Sequence, residues 1–525
     1  MIGFARSPCD DAAIEAAAPG TANCAERAKP WVLAATILGS SIAFIDGSVV
    51  SVALPAIQAD LGTSVRGAQW VVNAYMLTLG SLILVGGAAG DRFGRRRVFG
   101  LGVALFTAAS LGCGLAPSAA ALTIARAVQG VGGAFLIPSS LAIISAAFPE
   151  KERGRAIGTW AGFSALTTGF GPVLGGWLVD AWSWRMIFLI NLPVALLTLA
   201  IAFARVPESR DDADDAAVDW RGGLLAIAGL GAIAYGLTAA SELAWTHPAV
   251  LGSLLAGVLV LALFLRHEAG TPAPMMPLGV FRSATFTGAN VMTLLLYFAL
   301  SGAMFFLPFN LIRIQGYSAT GTGAAFLPFT LIMGGLSRWS GGLVARYGAR
   351  GPLVVGPIIA AAGFGLFAVP SIGGSYWTTF FPAMAVLALG MTVSVAPLTT
   401  TVMSAVPARH AGVASGINNA TARVAGMLAV ALLGAVAVGD FGARLDARLA
   451  GLAISPELRH AMQQEAPKLA EAQVPPQARG VERQQLRRAV EDAFVGSFRV
   501  VSLTACGLGL LSALCAGLTI RPPPR

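Results

Sequence analysis

Long apolar stretches alternate with short polar segments along almost the whole chain. Each stretch is about 20 residues long, which is enough to cross the roughly 30 Å hydrocarbon core of a bilayer as a helix. A helix satisfies its own backbone hydrogen bonds in lipid, so the pattern predicts an all-α membrane protein with fourteen transmembrane helices. The predicted spans cover residues 31–53, 68–89, 98–116, 120–147, 156–179, 185–204, 222–241, 249–265, 286–309, 322–343, 352–370, 376–403, 410–437 and 495–519.

The composition agrees with this pattern and excludes several classes of protein. Hydrophobic residues make up 56% of the 525 residues and charged residues only 12%, about half the charge of a soluble domain. A soluble enzyme or an extended disordered chain is therefore excluded. The five cysteines are scattered and predict neither a disulfide framework nor a metal site. The net charge of +9 is not gathered on a polar domain, so nucleic acid is not an expected partner.

Basic residues are distributed unevenly among the predicted loops. With the N-terminus inside, the cytoplasmic segments hold 20 Lys and Arg residues and the short outer loops hold three. This asymmetry predicts that both termini are cytoplasmic. Residues 1–30 lack a basic segment followed by an apolar core, so no signal peptide is predicted. An Arg- and Ala-rich, Lys-poor chain is typical of GC-rich bacteria, and we expect a multi-pass protein of the bacterial inner membrane.

The first six and the last six spans contain an internal repeat. The glycine- and arginine-rich loop at 87–96 recurs at 341–350, and the same offset relates span 5 to span 13. Parallel six-helix repeats are a transporter architecture with the binding site between the halves. The predicted segments are a cytoplasmic tail (1–30), a first bundle (31–204), a cytoplasmic linker (205–221), a two-helix insert (222–265), a second bundle (286–519) that includes one periplasmic loop (438–494), and a short tail (520–525).

The periplasmic loop at 438–494 carries eight basic and eight acidic residues and contains helix-like stretches. A cap lying on the surface is the favoured interpretation. A module that binds a ligand or a partner is the alternative.

A charged residue within a membrane span is costly and is therefore a functional-site candidate. Asp46 is the only carboxylate deep in any span, about 13 Å below the outer end of span 1. Arg126 in span 4 lies about 9 Å below the same surface, with Gln129 on the same helix face. We expect Asp46 and Arg126 to form a proton-coupling pair. A static buried salt bridge, or an Arg126 that extends outward to the interface, is the structural alternative.

Two further motifs have a spacing that predicts conformational roles. In the loop between spans 2 and 3, an aspartate ends a helix, a glycine allows a tight turn, and arginines follow. We expect the aspartate to face the N-terminus of span 13 in the other half. In span 5, a proline within closely spaced glycines allows a bend and a close approach of another helix. The gating candidates are Gly87, Asp91, Arg92, Gly94, Arg95, Gly171, Pro172, Gly175 and Gly176.

These motifs resemble those of the major facilitator superfamily. The segments 87–97, 122–132 and 169–176 are similar to its loop, span-4 and span-5 antiporter motifs, and 46–55 resembles the span-1 motif of its 14-spanning drug–proton antiporter branch. Shorter segments at 184–185, 191–193, 219–220, 325–328 and 412–419 are also similar to that branch. The resemblance covers 31–437 and the last span.

The resemblance implies proton-coupled export of small amphipathic or aromatic drug-like molecules by rocking of the two halves. Asp46 would carry the proton, next to Arg126, and the proton gradient would be the energy source without any cofactor. Because Asp46 is the only carboxylate deep in a predicted span, drug-like compounds with two positive charges are not expected substrates. The side chains expected to line the substrate cavity are Gln129, Phe163, Tyr297, Phe305, Asn418 and Arg423.

One other transport function stays open, and an enzymatic function is disfavoured by the few ionisable residues in the predicted spans. A dedicated exporter of one endogenous metabolite, antibiotic, sugar or lipid precursor is the alternative within transport. A membrane-embedded enzyme would need paired acid, base or metal groups at one depth, which a single deep aspartate does not supply. The sequence carries no signal for a periplasmic adaptor or an outer-membrane channel, which stay open as partners.

Overall fold

The computed structural model describes residues 21–209, 218–272, 274–406 and 411–520. Within these ranges it contains fourteen long helices, and each overlaps one of the predicted spans. Their bounds are α1 Thr21–Leu61, α2 Val65–Phe93, α3 Arg95–Gly114, α4 Ala119–Ala147, α5 Glu150–Ala181, α6 Met186–Arg205, α7 Trp220–Ala239, α8 Pro248–Gly270, α9 Ala284–Ile314, α10 (Ala319–Ala325, Leu327–Gly341 and Leu343–Tyr347), α11 Arg350–Leu366, α12 Phe380–Ser404, α13 Ala411–Ala450 and α14 Gly480–Thr519.

In the described part of the chain, 12 helices are long and apolar enough to cross a membrane. The other two predicted spans are α11, which is a shorter apolar helix, and α5, which is 32 residues long. We call the end of the bundle where α1 begins and α14 ends the terminal face, and the opposite end the cap face. Most of the N-terminal tail, residues 210–217 of the linker and residues 521–525 lie outside the described residues.

The two predicted halves, α1–α6 and α9–α14, have the same internal arrangement. In each half the second and third helices pack against the fourth, the first packs against the fifth, and the third packs against the sixth. The loop repeat has matching backbone geometry, because Gly94 and Gly348 at equivalent positions both have positive φ angles of 102° and 73°. Glycine adopts this conformation without strain. The repeat seen in the sequence is therefore a structural repeat.

The halves meet along two seams that are related by the repeat. In one seam α2 packs against α13, and in the other α5 packs against α10. The two-helix insert lies outside both halves, with α7 against α2 and α13, where Leu77, Ala234 and Met427 form a small apolar cluster. At the terminal face, Asp219 Oδ1 accepts hydrogen bonds from Gly222 N (2.8 Å) and His267 Nε2 (2.9 Å), which ties the start of α7 to the end of α8.

The loop predicted at 438–494 is longer than the connection in the structure, because α13 continues to Ala450 and α14 begins at Gly480. The hydropathy falls where these helices leave the apolar core, but one face of each stays apolar, and Leu445, Leu449 and Leu486 are fully buried between them. Only residues 451–479, which we call the cap segment, connect the two helices. The cap segment contains a helix, Pro456–Glu465.

The cap segment contacts both halves at the cap face. Gln58 of α1 donates a hydrogen bond from Nε2 to the Lys468 carbonyl oxygen (3.2 Å), and Arg313 of α9 forms an ion pair with Glu471. Burial raises the pKa of Glu471 above its ordinary value, and the hydrogen bond from Arg313 opposes this shift. The segment is therefore packed onto the ends of the transmembrane helices rather than lying loosely on the surface.

Candidate functional site

The candidate proton-coupling residues Asp46 and Arg126 form a salt bridge inside the first half. Asp46 lies on α1 and Arg126 on α4, and their side chains are 0% and 2% exposed. The structure thus brings together the two residues that the sequence placed at similar depths. Their burial is complete enough that water does not screen the pair.

A network of neutral polar groups surrounds this pair. Gln129 donates from Nε2 to Asp46 Oδ1 (2.9 Å) and accepts from Arg126 Nη1 (2.6 Å). It also donates to Ser110 Oγ (2.8 Å), to which Asn191 donates in turn (3.2 Å). Gln129 is fully buried, so the structure assigns it to the charge network rather than to the surface of a cavity.

The Arg126 guanidinium has further partners on α2 and α6. Its Nε donates to the Val71 carbonyl oxygen (3.1 Å), and its planar end lies over the Tyr75 ring, 4.2 Å from the centroid. The Phe188 ring lies on another side at 5.7 Å. Such contacts favour the cationic form of an arginine. Arg126 is therefore held inside the bundle, which disfavours the alternative in which it extends to the interface.

Small residues of α4 allow the close packing that buries this network. A Cβ atom on Gly130 would lie 2.1 Å from Thr78 Oγ1, and one on Gly132 would lie 2.6 Å from the Phe106 backbone nitrogen. Only glycine permits α4 to approach α2 and α3 this closely. The span-4 motif thus supplies both the charge and the close contacts that bury it.

The span-5 motif contacts α1 immediately after Asp46. A Cβ on Gly171 would lie 1.9 Å from Ser48 Oγ, and a Cβ on Gly175 would lie 2.2 Å from Val49 Cγ2. These two glycines therefore fix how closely α5 lies against the segment of α1 that carries Asp46.

The opposite side of the same motif contacts the second half. A Cβ on Gly176 would lie 2.2 Å from the Ala319 carbonyl oxygen, and a Cβ on Gly323 would lie 2.1 Å from the Pro172 carbonyl oxygen. The motif residues predicted to act in gating, Gly171, Pro172, Gly175 and Gly176, thus lie between α1 and α10. Any movement of the two halves relative to each other must change these contacts.

A carboxylate also crosses this seam at the cap face. Asp180, at the end of α5, accepts hydrogen bonds from Ala319 N (3.2 Å), Thr320 N (2.7 Å) and Thr320 Oγ1 (2.6 Å). These groups form the N-terminus of α10, where a negative charge is favourable. Together with the cap segment, this contact holds the two halves together at the cap face.

Farther from the cap face, α5 borders an apolar cavity. The cavity has a volume of about 300 Å³ and is lined by Ile45, Phe163, Leu166, Thr167, Phe170, Gly171 and Leu174. Phe163 is 49% exposed, as expected for a side chain lining a cavity. Ile45 is adjacent in sequence to Asp46, so the cavity lies beside the helix that carries the buried acid.

The second half contributes a different set of side chains. Arg423 on α13 is partly exposed, and its Cβ would lie 3.0 Å from a Cβ on Gly80 of α2, so it lies at the seam between the halves. Asn418 lies five residues earlier on another face of α13 and accepts a hydrogen bond from Thr293 Oγ1 of α9 (2.6 Å). Tyr297 of α9 is partly buried, whereas Phe305 is 4% exposed and packs within the apolar core.

The loop between α2 and α3 contains an ion pair that the sequence analysis did not predict. Asp91 Oδ1 accepts hydrogen bonds from Arg95 Nε (2.9 Å) and Nη2 (2.7 Å) of its own loop. The expected partner, the start of span 13, falls partly on residues 407–410, which lie outside the described residues. Glu208 of the linker instead accepts from the backbone nitrogens of Arg96 (2.9 Å) and Arg97 (3.2 Å), at the N-terminus of α3.

Several of the residues that build the site were not identified from the sequence. Ser110, Asn191 and Tyr75 complete the charge network, Asp180 joins the halves, and Glu208 caps α3. Asn191 lies in a segment that resembles the drug–proton antiporter branch, but its spacing did not indicate a place in the charge network. The spacing of the others carries no signal, although an aspartate at the end of a span could have been compared with Asp91. In the described residues, no group of three or more His, Cys, Asp or Glu side chains could hold a metal ion.

Comparisons with known proteins agree with this architecture. The family model of the Major Facilitator Superfamily matches residues 36–430. The chain is 36% identical over 437 residues to the multidrug resistance protein Stp of Mycobacterium tuberculosis, covering 83% of this chain and 81% of that protein. It is 34% identical to the tetracenomycin C resistance and export protein of Streptomyces glaucescens (79% and 77% covered) and 37% identical to the puromycin resistance protein pur8 of Streptomyces alboniger (79% and 83% covered).

Solved structures share the fold at low sequence identity. The structure of a bacterial homologue of the human lysosomal transporter Spinster, in an inward-facing and unoccupied conformation, has a TM-score of 0.66 at 17% identity, covering 95% of this chain and 99% of that one. A peptide transporter in complex with sulfate has a TM-score of 0.59 at 15% identity, with 92% and 93% covered. This chain belongs to the major facilitator superfamily of membrane transporters, consistent with the 14-spanning drug–proton antiporter branch that its motifs resemble.

Proposed function

We propose that this protein is an antiporter that exports small amphipathic or aromatic molecules in exchange for protons across the bacterial inner membrane. The observation that carries the proposal is the fully buried Asp46–Arg126 pair, which lies beside an apolar cavity bordered by Ile45 and Phe163. An intramembrane acid next to a substrate-sized cavity is the arrangement expected of a proton-coupled carrier. The relatives named for drug or antibiotic resistance support the substrate class.

Asp46 would couple the proton to the movement of the halves. When it is ionised, it holds Arg126 and Gln129 in one network. Protonation removes the negative charge from this network and leaves the Arg126 cation without its counterion, which is costly in a dry interior. The network must then rearrange, and α1, whose next turn packs against Gly171 and Gly175, transmits the change to α5.

The orientation follows from the basic loops, with the terminal face in the cytoplasm and both termini inside. The cap face is then periplasmic, and the contacts of Asp180 and the cap segment close that side. Substrate enters from the cytoplasm or the inner leaflet, and proton binding and substrate binding oppose each other. Such coupling is reciprocal, so the substrate must also weaken proton binding.

The test is compound-dependent proton movement in energised everted vesicles that contain the full chain and a pH-sensitive dye. Addition of an exported aromatic compound should release protons from the vesicle lumen, and vesicles without the protein should give no response. Export that continues unchanged with an uncoupler present would contradict proton coupling. Growth of a pump-deficient bacterium on a panel of unrelated toxic compounds separates broad efflux from a dedicated exporter, which would protect against one compound class alone.

A further inference from the structure

Arg423 is an unusual residue for the interior of a membrane protein. It lies 12 residues after the start of α13 at Ala411, about 18 Å along the helix, and thus near the middle of the bilayer. A cation at this depth normally pairs with an acid or with backbone carbonyls. Within the described part of the chain, the Arg423 guanidinium has neither an ion pair nor a hydrogen bond.

The only described carboxylate in the middle of a spanning helix is already engaged. Asp46 binds Arg126 and Gln129 and is fully buried inside the first half. The pair Asp46 and Arg126 is neutral when both groups are ionised, so Arg423 adds one uncompensated positive charge at the seam. This charge repels a cationic substrate and attracts an acidic one, and the attraction is strong where water is scarce.

The side chains around Arg423 suit a ligand that is partly aromatic. Tyr297 of α9, which is partly exposed, is close enough to be an electrostatic neighbour of the guanidinium. Arg423 itself faces α2 at Gly80, whereas Asn418 and Thr421 lie on another face of α13 and hydrogen-bond Thr293 and Asn290 of α9. A guanidinium offers a planar fork of donors that fits a carboxylate with two parallel hydrogen bonds.

We propose that Arg423 binds an acidic group of the substrate, and that the protein selects amphipathic aromatic monoanions, such as carboxylates, over cations of the same size. The proposal rests on the export function above but concerns the binding step alone. Asp46 would carry the proton within the first half, and Arg423 would hold the substrate charge on the second half.

The test compares three compounds with one aromatic body: naphthoate, naphthamide and naphthylmethylammonium. Equilibrium binding to the purified full-length protein is followed by tryptophan fluorescence, and export is followed in everted vesicles. Charge-assisted hydrogen bonds should make naphthoate binding at least about tenfold tighter than naphthamide binding. The ammonium compound should bind weakest.

Substitutions of Arg423 test whether this side chain causes the preference for naphthoate. Arg423→Gln should remove the preference for naphthoate and leave naphthamide binding unchanged, Arg423→Lys should retain part of it, and Arg423→Glu should reverse it toward the cation. Arg444→Gln is the matched control, because Arg444 lies on the same helix, beyond the membrane, paired with Asp440.

The proposal would be overturned if the wild-type protein bound naphthoate no more tightly than naphthamide, or did not bind naphthoate at all. It is also overturned if Arg423→Gln abolishes the binding of all three compounds while the protein stays folded, because Arg423 then supports the structure rather than the ligand. Failure of proton coupling has a separate signature, since binding would keep its preference for naphthoate while compound addition moved no protons.

Discussion

The two six-helix halves pair their helices in the same order but hold their charged residues differently. In the first half, Asp46 and Arg126 neutralise each other and are almost completely buried among neutral polar groups. In the second half, Arg423 has no such partner in the described residues and is partly exposed at the seam. One repeat unit has thus been adapted to two chemical environments.

We infer from this difference that the first half binds the proton and the second half binds the charged group of the substrate. A carboxylate inside a closed network can change protonation state without direct contact with substrate, provided that the halves move. Arg423, which has no ion pair or hydrogen bond within the described residues, remains available to a substrate at the seam between α2 and α13. The two halves are in contact through α5, which meets α1 at Gly171 and Gly175 and α10 at Gly176.

The largest effect is expected from Asp46→Asn, which removes the deep acid. Compound-dependent proton release should disappear completely in everted vesicles. The variant also leaves Arg126 buried without a counterion, which costs about 3–5 kcal/mol of stability. The double variant Asp46→Asn with Arg126→Gln removes both charges and should recover the amount of folded protein but not the coupling. Proton release by the double variant would exclude Asp46 as the coupling site.

A smaller but still strong effect is expected from Arg126→Ala. The ionised form of Asp46 loses its neighbouring cation, so the pH optimum of transport should move upward and activity near neutral pH should fall about tenfold. Arg126→Lys keeps the charge but loses the planar fork, and it should retain part of the activity. The measurement is the pH profile of compound-dependent proton release. If the pH profile of Arg126→Ala coincides with that of the wild type, Arg126 does not affect the protonation of Asp46 during transport.

The third-largest effect is expected from Gly176→Ala at the seam between α5 and α10. The substitution would place a Cβ against the Ala319 carbonyl oxygen. Overpacking of this kind costs about 1–3 kcal/mol and should open the cap face, slowing turnover. Gly162→Ala is the matched control on the same helix, because a Cβ there meets no atom within 4 Å. Initial export rates at equal protein levels provide the measurement. Equal rates for both variants would show that the halves do not depend on this contact.

The smallest effect is expected from Asp180→Ala, which removes three hydrogen bonds at the N-terminus of α10. Loss of such a cap costs about 0.5–2 kcal/mol, so the closed state at the cap face should lose population by a few-fold, at least about twofold at the lower cost. Labelling of a cysteine at Phe163 by an impermeant reagent from the cap side, in a background without the native cysteines, should accelerate. Asp440→Ala is the control, because Asp440 pairs with Arg444 of its own helix and does not join the two halves through that pair. Equal labelling rates in wild type and Asp180→Ala would contradict this role.

The sequence alone determined the number of helices, their repeat and the depth of the buried charges. These properties are local, because an apolar stretch of sufficient length forms a helix in lipid whatever it packs against. Asp46 and Arg126 could be matched by counting residues from the ends of their spans. The predicted bounds were far too narrow for α13 and α14, whose amphipathic continuations pack around Leu445 and Leu486 outside the apolar core.

Only the tertiary structure decided which face of each helix meets which neighbour. Gln129 faces Asp46 instead of a cavity, Phe305 lies in the core, and Asp180 joins the two halves at the cap face. These outcomes depend on helix rotation and on contacts between residues that are far apart in sequence. Hydropathy gives the depth of a side chain along a helix but not its direction around the axis, and that direction is set by packing of the glycine-rich surfaces.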